Sequence, residues 1–206
     1  YISNHNVLRV EVFDNTDTFY PFGKQSNKPS GMWYTSISGI WKTVWMETVP
    51  TKEEIRSIKI ETTIDSIDFY VDTDNEYCIS ITFDEDTVAY ISKSQHLHVD
   101  LKNIKYQNWT IKQPVLYTVT IKTNYDTVQT YVGIREIGVE TINNHKYLCL
   151  NKEPIYLNGV LDQGYFSDGI YSPKNTKEYL NDIRRMKELG FNMLRKHIKV
   201  EDEAFY

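Results

Sequence analysis

Along most of this chain apolar and polar residues alternate with period two, the spacing of half-buried β-strands. In "NVLRVEVFDNTD" Leu8, Val10 and Val12 fall on one face and Arg9 and Glu11 on the other, which predicts a strand near the start. A Gly/Pro/Ser-rich stretch, "PFGKQSNKPSG", then leads into "MWYTSISGIWKTVWMETVP". Its closing strand should carry Trp41, Thr43 and Trp45 on one face and Val44 and Met46 on the other. Apolar bulk on both faces suits a strand inside a sandwich.

After Pro50 the alternation restarts and recurs at short intervals to about residue 141. The strands it predicts are "IRSIKIETTI", "IDFYVDT", "YCISITF", "TVAYISK", "LHVDL", "LYTVTIKT" and "TVQTYVGIREI", with turns such as "DTDNE" and "FDEDT" between them. Seven short strands without an intervening helix predict an antiparallel β-sandwich of immunoglobulin-like size. Alternation assigns its core to Ile58, Ile60, Phe69, Val71, Ile79, Ile81, Leu97, Val99, Val119, Ile121 and Val132.

Beyond residue 141 the rhythm changes. "EPIYLNGV" reads as a strand, "LDQGYFSDGIYSPKN" as a loop, "TKEYLNDIRRMKELG" as a helix and "FNMLRK" as a strand, which together make a βαβ unit. Tyr179, Ile183 and Met186 form the helix's apolar stripe, with Leu180 and Leu189 beside it. Asn175 with Glu178 supplies a variant capping box, and Gly190 sits where a C-cap wants positive φ. "VEDEAFY" places Glu201, Asp202 and Glu203 as the solvated start of a second helix. One βαβ unit cannot cover both faces of a parallel sheet, and Tyr1 is no initiator, so both ends read as interior to a longer protein.

Composition narrows the partners. An apolar fraction of 40% with no long apolar run gives a soluble globular chain and no membrane span, and a net charge of −5 without a dense Lys/Arg cluster opposes nucleic-acid binding. Cys78 and Cys149 lack a C-x-x-C partner and read as two buried thiols. With 16 Tyr, 8 Phe and 4 Trp the chain is rich in aromatics, which serve half-buried strands before they serve as sugar platforms. His96 and His98 share a strand face without an apparent third ligand, so no metal and no cofactor are implied. Asn108-Trp109-Thr110 matches the glycosylation sequon and is read as a chance match.

Three stretches in order resemble glycoside hydrolase family 2, the family of β-galactosidases, β-glucuronidases and β-mannosidases. "SGIWKTVWMETVP" is similar to the end of that family's sugar-binding jelly roll, and "QPVLYTVTIKT" with "VQTYVGIREI" to the close of its immunoglobulin-like domain. "LNKEPIYLNGV" with "DIRRMKELGFNMLRKH" is similar to the opening of its (β/α)8 barrel. The resemblance implies a mainly β chain in three parts: residues 1–49 of a jelly roll, an immunoglobulin-like β-sandwich over 50–141, and the first βαβ unit of a barrel over 142–206.

It also implies a retaining glycosidase acting on a β-glycoside, which needs an acid and a nucleophilic carboxylate about 5 Å apart. In the family both are glutamates on later barrel strands, so this chain would hold neither and would be inactive alone. Ligands of such barrels sit at the C-terminal strand ends, which makes Asp162 and Gln163 after the first strand, and Arg195 and His197 at the second, the candidate substrate-binding residues. The chain has "LDQG" where β-galactosidases carry Asn-Arg-His-Glu, and His197 follows Arg195 by two positions rather than three. Exposed edges of the incomplete parts would favour self-association. Without the resemblance, the two β-regions would equally suit a non-catalytic carbohydrate-binding or adhesion module.

Overall fold

The computed structural model describes residues 5–14, 19–84 and 86–206. In chain order its strands are β1 Gln25–Ser26, β2 Tyr34–Thr35, β3 Ser57–Thr62, β4 Ser66–Asp72, β5 Tyr77–Phe83, β6 Asp86–Ser92, β7 His96–Asp100, β8 Tyr117–Lys122 and β9 Thr127–Val132. There follow β10 Ile137–Ile142, β11 His145–Leu150, β12 Glu153–Pro154, β13 Gly159–Asp162, helix α1 Thr176–Glu188, β14 Met193–Lys196 and a 3-10 turn at Glu203–Phe205. The fold is mainly β. The chain divides into two compact units, Met46–Tyr156 and the pair of segments Tyr1–Trp45 with Leu157–Tyr206.

The Met46–Tyr156 unit holds an antiparallel β-sandwich of immunoglobulin-like form, with β3-β4-β7 as one sheet and β6-β5-β8-β9 as the other. Alternation drives it: Ile67, Phe69 and Val71 on β4 and Tyr77, Ile79, Ile81 and Phe83 on β5 are all buried, while their polar neighbours face out. Register sets Ile79 opposite Ile121 and Ile81 opposite Val119, so the two strands share one core face. Each fully buried aliphatic or aromatic side chain there contributes about 1.5–3 kcal/mol. The predicted core is all present, with Ile58, Ile60 and Leu97 only partly buried at its border. Alternation underrated the ends of the strands, where Ile55, Leu101, Tyr117 and Ile134 also close the core. The Tyr117 hydroxyl accepts from the Gln107 amide at 2.6 Å and donates to its carbonyl at 3.2 Å, a tyrosine corner at the start of β8.

Several expectations are corrected. "TVQTYVGIREI" is not one strand: it breaks after Val132, and β10 instead pairs antiparallel with β11 around Asn143-Asn144, both at positive φ. Asn tolerates that left-handed geometry, which is why the hairpin turns there. "EPIYLNGV" likewise divides into β12 and the start of β13. The segments around Leu8–Val12 and Trp41–Met46 form no strand, because none of the described residues supplies them a hydrogen-bonding partner strand. Residues 15–17 of the first segment, and Glu85 in the expected "FDEDT" turn, lie outside the described residues. Cys149 is buried as predicted but Cys78 only half-buried, because its strand position faces away from the core. His96 Nε2 and His98 Nδ1 both reach the same Asp68 Oδ1, at 2.7 and 2.9 Å. Among the described residues no group of three such side chains is arranged to hold a metal. Nor, among them, is any helix long and apolar enough to cross a membrane. Asn108 is half-buried, with its Oδ1 away from solvent.

In the other unit, β13 and β14 are parallel, with Leu161 opposite Arg195 and Asp162 opposite Lys196. α1 connects them, giving the predicted βαβ. Asn175 caps the helix by accepting from the Lys177 amide at 3.0 Å, and Gly190 follows it at φ +87°.

Candidate functional site

The two parallel strands end side by side, and their alternation sends consecutive side chains to opposite faces. One face looks toward α1. There Lys196 Nζ lies 2.9 Å from Asp162 Oδ2 and 2.6 Å from Glu201 Oε2, and Lys199 Nζ lies 2.9 Å from Glu201 Oε1. Tyr179 of α1 completes the group by donating to Glu201 Oε1 at 2.9 Å. Two cations and two anions balance, as buried charges must. Glu201 and Lys199 have wholly buried side chains. The Lys196 contact to Oε2 lacks hydrogen-bond geometry, so that attraction is Coulombic rather than directional.

Lys199 donates to the Gly164 carbonyl at 2.6 Å and the Tyr171 carbonyl at 2.5 Å while it is ion-paired with Glu201. It thereby holds both ends of the loop that follows β13. Burial lowers the Lys199 ammonium below the ordinary lysine value, against the pull of Glu201. Burial raises the Tyr179 phenol, and the bonded Glu201 raises it further, so it stays protonated as a donor. Tyr171 is pushed up to about 12, mainly by burial. Gly164 makes the cluster possible: at φ +65°, a Cβ there would fall 2.5 Å from Glu201 Oε2 and 2.7 Å from Lys196 Nζ.

The opposite face is open. Leu161 is half-exposed and Arg195 exposed beside it. Arg195 Nη1 donates to His197 Nδ1 at 3.4 Å, and the His197 amide donates to the Asp162 carbonyl at 2.9 Å, which extends the strand pairing by one residue. Among the described residues no carboxylate pairs with Arg195 or His197. Burial, then Lys24 and Arg195, hold the imidazole below its ordinary value, so the ring is neutral at pH 7. With Nδ1 accepting from the guanidinium, the proton sits on Nε2.

The structure therefore brings the four sequence candidates to one strand end but on different terms. Arg195 and His197 share the open face. Asp162 is on the helix side, its Oδ1 accepting from the Gly164 amide at 2.8 Å in an Asx turn and its Oδ2 held by Lys196. Gln163 is half-buried and, among the described residues, its Oε1 has no hydrogen-bond partner. Glu201, expected as part of a solvated helix start, is instead the buried centre of the ionic cluster. Asp202 does cap the following turn, accepting from the Ala204 amide at 3.0 Å. Sequence reasoning missed Lys196, Lys199 and Lys24. The alternation of Arg195, Lys196, His197 and Lys199 around one strand end was a usable sign, since basic residues on both faces of a buried parallel strand require partners.

No protein-family model matches the chain, and no curated protein does. Solved structures do. A Ruminococcus gnavus β-glucuronidase aligns with TM-score 0.60 at 20% identity over 75% of this chain and 26% of its own. A Dictyoglomus thermophilum β-D-glucuronidase aligns with TM-score 0.60 at 22% identity over 73% and 26%, and a Parabacteroides merdae β-glucuronidase with TM-score 0.57 at 17% over 75% and 22%. The chain thus spans about a quarter of the length of these proteins. The fold expected from the resemblance to glycoside hydrolase family 2 is the fold that these β-glucuronidase structures share with this chain.

Proposed function

We propose that this chain is a segment of a retaining glycoside hydrolase of family 2 that acts on β-glycosides, with the acid and nucleophile glutamates supplied by parts of the protein outside it. On this reading residues 1–49 close a jelly roll, 50–141 form the immunoglobulin-like domain and 142–206 open the catalytic barrel. β13 and β14 are then the first two barrel strands, and their open face is the lumen. The observation that carries the reading is Arg195, a guanidinium at the C-terminal end of a parallel strand, on the face away from the helix, with no carboxylate partner among the described residues. In such a barrel that is where a sugar hydroxyl or a catalytic carboxylate meets the strand ends.

Arg195 and His197 would contact the sugar directly. Asp162 would act chiefly by framing the strand end, with one lone pair on each oxygen left for a hydroxyl, and Gln163 would use its unpartnered Oε1 in the same way. The experiment is hydrolysis of aryl β-glycosides by the protein that contains this chain, followed by NMR of the released sugar. The β-anomer should form first, by double displacement. Initial release of the α-anomer, or no hydrolysis of any β-glycoside, would overturn the proposal. The 206-residue chain alone should give no turnover above background.

A further inference from the structure

The segment after β14 carries a strained backbone that the strand pattern does not reveal. Ile198 sits at φ +55°, in the left-handed region that a β-branched side chain avoids. Such a residue persists only where its surroundings hold it, and its carbonyl accepts from the Gly23 amide at 2.6 Å. The next residue is Lys199, whose side chain is wholly buried. Its ammonium lies over three aromatic rings, 4.3 Å from the centroid of Tyr171, 5.1 Å from that of Trp41 and 5.7 Å from that of Phe166. Trp41 meets Tyr171 edge-on, with centroids 4.7 Å apart. Gly23 and Trp41 both come from the N-terminal segment, which therefore holds this stretch once through the backbone and once through a ring.

We propose that Lys199 is a positioning residue of the strand-end site, fixing the turn Asp162-Gln163-Gly164 so that Gln163 meets the sugar. The inference rests on the glycosidase reading above. Its ground is a closed ring of contacts around that turn. Gly164 is held through both of its backbone polar groups, its amide donating to Asp162 Oδ1 at 2.8 Å and its carbonyl accepting from Lys199 Nζ at 2.6 Å. Asp162 Oδ2 is held by Lys196, and Lys196 and Lys199 share Glu201. Gln163 stands in the middle of the turn and, among the described residues, its Oε1 has no hydrogen-bond partner. An acceptor left open in an otherwise satisfied network is a place for a donor such as a sugar hydroxyl. Beyond Gly164 the loop closes on itself, Phe166 and Ile170 exchanging both amide-to-carbonyl bonds at 2.8 and 3.1 Å. Its far end, the Tyr171 carbonyl, is again held by Lys199, at 2.5 Å. A loop fixed at both ends keeps a geometry that a mobile one would lose, and a misplacement of about 1 Å at a reacting site can cost about a hundredfold in rate.

The test is a cycle of kcat/KM measurements on the full protein with an aryl β-glycoside, combining Gln163→Ala with loss of Lys199. Lys199→Met alone leaves Glu201 with one cation fewer, so Lys199→Met/Glu201→Gln, which keeps Lys196 paired with Asp162, is measured beside it, and unfolding is followed for both. Loss of Lys199 should lower kcat/KM at least about tenfold in the charge-balanced pair as well as in the single variant. Gln163→Ala should lower it about three- to tenfold in wild type and less than about twofold where Lys199 is absent, because Gln163 is then already misplaced. A merely structural lysine would leave Gln163→Ala with the same effect in both backgrounds. That result, or a Lys199 variant within about twofold of wild type, overturns the inference and leaves the glycosidase reading standing. Failure of both Lys199 variants to fold overturns it as well, since the lysine would then serve folding alone. Absence of turnover by the wild type sinks both.

Discussion

Gly164 and Glu201 show how much a strand end can depend on one missing Cβ. Gly164→Ala would force a methyl group against Glu201 Oε2 and Lys196 Nζ in a left-handed backbone, costing about 2–4 kcal/mol. Glu201→Gln leaves Lys196 and Lys199 without their shared anion, and the loss should be about 3–5 kcal/mol, the cost of breaking a buried pair. Denaturant unfolding measures both, and a loss below 1 kcal/mol for Glu201→Gln would show that the cluster is not a buried ionic unit. Residues of this kind were the least legible in the sequence. "VEDE" has the look of a solvated helix start, because an acidic run carries no mark of the lysines that will fold onto it from residues 196 and 199. Arg195 was legible, since its place at the end of the second barrel-like strand made it a candidate before any contact was known.

Asp68 titrates the outer face of the sandwich. His98 and His96 hydrogen-bond to it and hold its carboxyl below the ordinary aspartate value. A folded pKa lowered in this way contributes stability at pH above the unfolded value near 4, and the contribution is lost as pH falls through the lowered folded value. The Tm of wild type should therefore exceed that of Asp68→Asn at pH 6, with the gap narrowing as pH falls below the unfolded value. A gap independent of pH would contradict the bond to the histidines.

At the scale of elements, helix α1 and the seven sandwich strands were readable because their signals are local. Three-residue and four-residue spacing, an Asn cap and a following Gly define α1, and period-two alternation defines β3 to β9. Asn175→Ala should cost about 1 kcal/mol by removing the acceptor of the Lys177 amide; an unchanged midpoint in thermal or denaturant unfolding would deny the cap. The β10-β11 hairpin was not readable in the same way. "GVETINNHKYLCL" mixes apolar and polar residues without clean alternation, and its turn is set by two asparagines at positive φ rather than by Asn-Gly. Conversely, Leu8 to Val12 and Trp41 to Met46 alternate well and form no strand. Alternation records what a segment can do, but a strand exists only where another strand pairs with it.

Across the whole molecule, the sandwich and the strand ends do different work. The Met46–Tyr156 unit has one continuous apolar core drawn from both sheets of its sandwich, which marks it as the scaffold. β13 and β14 pair only with each other among the described residues, which is too little sheet to be stable by itself. We propose their open face as a sugar site with Arg195 as its contact. A charge-assisted hydrogen bond that tightens in the transition state is worth about 1.5–3 kcal/mol, on the order of ten- to a hundred-fold in rate. The direct measurement is kcat/KM for an aryl β-glycoside in Arg195→Ala of the protein that contains this chain, with unfolding measured in parallel. A fall of tenfold or more with the midpoint of unfolding unchanged is the predicted result. A kcat/KM within threefold of wild type would make Arg195 a surface residue and remove the site.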